Sequence, residues 1–215
     1  MGASVSVGFG GTPFGDAFAA AAPRSTVTSH ADLFFFRDPF GNSTAQIDAA
    51  IADAPTTLVA IDFLFWDIYA QRDPAWRDRA LASGLANLER ARIAGAWIVV
   101  GDVPRVTTAS ELLLPPENVP DVATLARFNR ESTRWASERE RVLLVPFASW
   151  AEPLAANGDV AISSTEIVPA ASLVAADGLH ANALGVWFLL DTLDHLIEQR
   201  LPGTPKDALV FERPR

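Results

Sequence analysis

Two short stretches at opposite ends of the chain carry residue types that can do chemistry together. In Asp177-Gly178-Leu179-His180 an acid stands three residues before a base, just ahead of a helix-like segment. At that spacing the carboxylate accepts from one imidazole nitrogen and leaves the other to act as a base. Such an imidazole activates a hydroxyl nucleophile within hydrogen-bond reach. The opening, MGASVSVGFGG, offers two hydroxyls, Ser4 and Ser6, in a glycine-rich stretch, and the Gly-x-Ser spacing favours Ser4. The same opening also fits M-G-x-x-x-[ST], the pattern for N-terminal myristoylation. A D-x-x-H alone also occurs as a helix-entry cap beside a surface histidine, so the chemistry requires that the two ends meet.

Taken together, GASVSVGFGG and DGLHANALG resemble the first and last sequence blocks of the SGNH (GDSL-like) hydrolase family. The resemblance implies a single domain over 1–215 with a three-layer, flavodoxin-like α/β/α sandwich around a central parallel sheet. It implies hydrolysis of a small-molecule carboxylic ester, with no metal or organic cofactor. Ser4 matches the nucleophile, His180 the general base and Asp177 its orienting carboxylate, while Gly2 and Gly8 fit the backbone freedom of a sharp turn. GNSTAQIDAAIADAPTTLVAID looks like the second block followed by a helix and the third strand. That places Gly41 where its N–H joins that of Ser4 in an oxyanion hole.

The chain departs from the family pattern in three places. Ala3 stands where an Asp usually follows the first Gly. Leu64-Phe65-Trp66-Asp67 stands at the G-x-N-D block, so Trp66 occupies the place of an oxyanion-donating Asn. Indole Nε1–H donates but cannot accept, which leaves two roles for Trp66: replacement donor, or wall of the pocket. Only three residues precede Ser4, so the first strand is cut short, and an upstream start that could include a signal peptide is one explanation. A fold of this type that binds without turnover is the alternative to the esterase.

The remaining composition narrows the class. The net charge is −9, from 17 basic and 26 acidic side chains, and no basic stripe offsets it, which argues against nucleic acid as a partner. No apolar run is long enough for a transmembrane helix. There is no Cys, and His30, His180 and His195 are scattered, so a zinc cluster has no support. Asp62, Asp67 and Asp102 lie near strand ends, where capping is the simplest role. GFGGTPFG matches neither phosphate-loop pattern.

The elements that must position Ser4, Asp177 and His180 follow from periodicity. The runs 25–36, 56–66, 96–103 and 141–147 read as strands, apolar on both faces as in a parallel sheet. Leu81, Leu85 and Leu88 mark a helix over 74–93. Val122, Leu125, Phe128 and Trp135 mark another over 121–138, and Asn182 caps a last one reaching about residue 199. Stretches 104–120 and 148–176 read as long connections, and the tail packs through Leu209, Val210 and Phe211. The aromatic run Phe34 to Phe36, with Phe40 and Phe65, reads mostly as core.

Overall fold

The computed structural model describes residues 1–8, 12–200 and 209–214. Its chain order is α1 (Ser4–Val7), α2 (Phe14–Ala21), α3 (Pro39–Ala52), β1 (Thr57–Ala60), α4 (Phe63–Tyr69), α5 (Pro74–Ile93), β2 (Trp97–Gly101), α6 (Val122–Ser137), β3 (Val142–Val145), α7 (Phe147–Ala155), β4 (Asp159–Ala161), β5 (Ile167–Pro169) and α8 (Ala183–Arg200). Side-chain caps start the long helices where the sequence places them. Asp38, Asp73 and Asp121 accept from N–H groups in the first turns of α3, α5 and α6, and Asn182 accepts from Gly185 in α8. Each such cap satisfies a donor that the helix itself cannot.

Strands β1, β2 and β3 form a parallel sheet in that order, with Leu58 beside Ile98 and Ile98 beside Val142. Alternation along each strand gives the sheet two covered faces. Leu58, Ala60, Ile98 and Val100 join Ile47, Leu64, Leu88 and Phe128 in one buried cluster, drawn from α3 to α6. Val99, Leu143 and Val145 point the other way, onto Phe14 of α2 and Val186, Leu190 and Leu193 of α8. The result is an α/β fold with a three-stranded parallel sheet between helical layers. Among the described residues no helix is long and apolar enough to cross a membrane.

Several elements differ from the periodicity reading. Residues 25–36 form no strand: the segment crosses the chain start, where Asp32 N–H donates to the Gly2 carbonyl, and ends in a 3₁₀ turn. Only Phe35 of that aromatic run is buried, while Phe34 and Phe36 are exposed. The run 56–66 is a strand only to Ala60, and its apolar continuation becomes α4, a helix buried on all sides. A continuous apolar run does not distinguish the two states. The stretch 148–176 holds most of α7 and the antiparallel β4–β5 pair rather than an open connection. Val122 is exposed at the start of α6. In the tail, Leu209 is buried against α2 and α8, Val210 is exposed, and 202–208 lie outside the described residues.

Asp67 of α4 is 1% exposed, and its Oδ2 has no hydrogen-bond partner among the described residues. A Cβ added to Gly84 of α5 would lie 2.2 Å from that oxygen, so the glycine makes the room for it. Burial pushes the Asp67 carboxyl well above its ordinary 3.8. A raised folded-state pKa means that the folded chain holds a proton the unfolded chain releases. The favourable contribution is therefore complete below pH 3.8 and is lost as pH rises towards the folded-state value. Asp67→Asn removes this dependence. Denaturation across pH should show the variant gaining on the parent by about 1.4 kcal/mol per unit over that window; parallel curves would contradict it.

Candidate active site

The nucleophile candidate sits on a turn held from below by a carboxylate. Asp62 lies just past the C-terminal end of β1 and is 1% exposed. Its Oδ2 accepts from the N–H groups of Ala3 and Val5, both at 3.1 Å, and lies 3.4 Å from that of Ser6. Its Oδ1 accepts from Ser6 Oγ at 2.7 Å. The Gln46 amide clamps Gly2 on both sides, accepting from its N–H and donating to its carbonyl. Gly2 has φ +128°, and a Cβ there would lie 1.8 Å from Asp62 Oδ1, so only glycine lets the carboxylate approach.

This arrangement separates the two serines. Ser6 is locked onto Asp62, while Ser4 lines a cavity. The sequence alone left the choice to spacing. Here Ser6 is engaged by Asp62 and the Met1 carbonyl, and Ser4 is the serine on the cavity wall.

The acid and base form a compact pair. Asp177 Oδ2 lies 2.7 Å from His180 Nδ1, and Oδ1 accepts from the N–H groups of Leu179 and His180. Burial raises the Asp177 carboxyl. The His180 N–H, the His180 ring and the Leu179 N–H outweigh that, so it stays below its ordinary value. A carboxylate can only accept, so Nδ1 carries the proton and Nε2 is the basic nitrogen. The His180 side chain is 3% exposed.

The loop that carries this pair is fixed by the long connection before it. Thr108 Oγ1 donates to the Gly178 carbonyl at 2.7 Å, and Ser110 N–H donates to that of Asp177. Gly178 has φ +69°, and a Cβ on it would lie 2.0 Å from the Thr108 carbonyl oxygen. Tyr69, buried in α4, bridges the same connection, donating to the Pro104 carbonyl and accepting from Val106 N–H. Loss of its proton would bury a phenolate, and its pKa is pushed up to about 12.

Both halves meet at one cavity with an empty volume of about 850 Å³, its open mouth included. Ser4 and Asp62 line it, as do Gly178, Leu179 and Ala181 of the loop that carries the pair, whereas Asp177 and His180 themselves are not among its lining residues. Ser4 and His180 are not hydrogen-bonded to each other. In unliganded enzymes such contacts often tighten only once substrate binds.

The two remaining oxyanion candidates part company. Gly41 is exposed in the first turn of α3, and its N–H donates to Asp38 Oδ1 at 3.1 Å. That N–H serves the helix cap, and Gly41 is not part of the cavity wall, which corrects its assignment to the oxyanion hole. Trp66 does line the cavity, packed edge-on against Phe65 and in contact with Phe36. It is wall by position.

The other titratable candidates have structural roles. Asp102 accepts from Ala148 N–H at the start of α7, His30 pairs with Asp53, and His195 Nδ1 lies 2.7 Å from the Asp191 carbonyl oxygen. Among the described residues no three His, Asp or Glu side chains gather as a metal site. Spacing missed the anchoring role of Asp62 and the wall supplied by α7. The second had a signal: Phe147, Trp150, Ala151 and Leu154 fall at i, i+3, i+4 and i+7.

Comparison of the chain with protein-family models, with curated proteins and with solved structures returns no match. The case for a site therefore rests on its geometry, and the anchor of that geometry is testable. Asp62→Ala leaves buried donors without an acceptor and should lower unfolding stability by about 2–4 kcal/mol. It should also speed hydrogen exchange at the Ala3 and Val5 amides. Unchanged exchange at both amides would refute the anchoring role.

Proposed function

We propose that the chain is a serine hydrolase of carboxylic esters, built on an SGNH-type α/β/α framework and using Ser4, His180 and Asp177. The observation that carries this is the shared cavity: Ser4 lines it from the α1 turn, and the residues around a carboxylate-held His180 line it as well. His180 Nε2 takes the Ser4 Oγ proton as Oγ bonds to the ester carbonyl carbon. The tetrahedral oxyanion collapses, the alkoxy C–O bond breaks, and the alcohol leaves with the proton from the imidazolium. Water, giving its proton to the same nitrogen, then bonds to the acyl carbon, and the acyl–Oγ bond breaks as the imidazolium returns that proton to Ser4 Oγ and the carboxylic acid leaves. Asp177 stays ionised throughout and holds the imidazolium.

The N–H of Ser4 and the indole N–H of Trp66 are the donors offered to the oxyanion, with Gly41 engaged elsewhere. Removing one such donor costs about 10²- to 10³-fold in turnover. Trp66→Phe keeps the wall and removes only the N–H. A drop in kcat of that size with little change in KM assigns Trp66 as a donor; an unchanged kcat leaves it as wall.

A second reading, a ligand-binding domain without turnover, is favoured by the missing Ser4–His180 hydrogen bond and by the engaged Gly41 N–H. One experiment separates the two. A fluorophosphonate incubated with the folded protein should add its mass to Ser4, and His180→Ala should abolish the adduct. A folded, unlabelled parent protein would support the binding domain.

A further inference from the structure

Three hydrophobic clusters make up the described interior, and the cavity lies where they adjoin. Phe65 and Trp66 reach it from the cluster under α4, Phe147 and Trp150 from the opposite face of the sheet. Leu154 and Phe188 reach it from the small cluster that α7, the β4–β5 pair and α8 enclose. An apolar ligand in this gap would touch all three clusters at once and complete the contacts that each lacks on that side.

The wall has almost no spare polarity to offer. Its polar side-chain groups are the Ser4 hydroxyl, the Asp62 carboxylate and the indoles of Trp66 and Trp150. Asp62 is already saturated by the donors of the α1 turn. A sugar ring brought against Phe147, Leu154 and Phe188 would bury hydroxyls with no partner, whereas each methylene of an alkyl chain gains from leaving water.

We infer that this junction seats the unbranched acyl chain of a neutral ester, longer than acetyl, with its carbonyl at Ser4, and that acetylated sugars are excluded. This rests on the proposed hydrolase for the position of the carbonyl. The occupancy of the cavity by an alkyl chain does not require turnover.

The test therefore uses binding to the full-length Ser4→Ala protein. Titration calorimetry with methyl butanoate, hexanoate and octanoate should show affinity rising about fourfold per added methylene. The heat-capacity change should become more negative along the series, and an acetylated methyl glucoside should not bind. Equal affinity across the esters, no binding of any ester, or tighter binding of the glucoside would overturn the inference. The phosphonate test on the parent protein reads a different property. A chain-length series without Ser4 labelling keeps the acyl seat and removes the hydrolase, and labelling with a flat series does the reverse.

Discussion

The Asp62 carboxylate is the interaction on which the candidate site depends. One buried side chain at the end of β1 accepts from two backbone N–H groups of the opening turn at 3.1 Å and from the Ser6 hydroxyl at 2.7 Å. Hydrogen bonds to an ionised acceptor are stronger than neutral ones, so a four-residue helix that could not persist alone is fixed to the sheet. The constraint also spends Ser6 and spares Ser4. Because Asp62 lies two residues past the end of β1, parallel pairing of β1 with β2 sets the position of Ser4 relative to the rest of the strand ends.

The Asp177–His180 loop is held by a separate route, and residues of that loop line the same cavity as Ser4 and Asp62 beside the carboxyl end of β1, the end at which open α/β folds usually bind ligands. The connection after β2 holds the Asp177–His180 loop through Thr108 and Ser110, and Tyr69 ties that connection to α4. The helix carrying Tyr69 also supplies Phe65 and Trp66 to the cavity. Ser4, the Asp177–His180 loop and the cavity wall are thus referred to the same two elements, β1 and α4. The residues between them, Ile61 and Asp62, are buried as well.

Much of the scaffold was legible because local signals agreed with tertiary demand. Leu81, Leu85 and Leu88 lie on the buried side of α5, Asn182 caps α8, and the runs around Val99 and Leu143 are strands. The failures have physical causes. TTLVAIDFLFW is nearly continuously apolar, so its hydrophobic pattern does not separate the strand before Asp62 from the helix buried all round after it. Residues 25–36 have β-forming side chains but no ladder to join, and β propensity expresses itself mainly through partners. Asp177 and His180 were visible as a local pair, whereas Gly41 was carried by position alone, and Asp38 takes its N–H for the α3 cap.

The central claim is that Ser4 and the Asp177–His180 pair act on one ligand in one apolar cavity. The most direct measurement is a crystal structure of the protein after reaction with an octyl fluorophosphonate. The account predicts phosphorus bonded to Ser4 Oγ, His180 Nε2 within hydrogen-bond distance of the adduct, and the octyl chain among Phe147, Leu154 and Phe188. Phosphorus on another residue, or a Ser4 adduct whose chain lies in solvent with His180 out of reach, would contradict it.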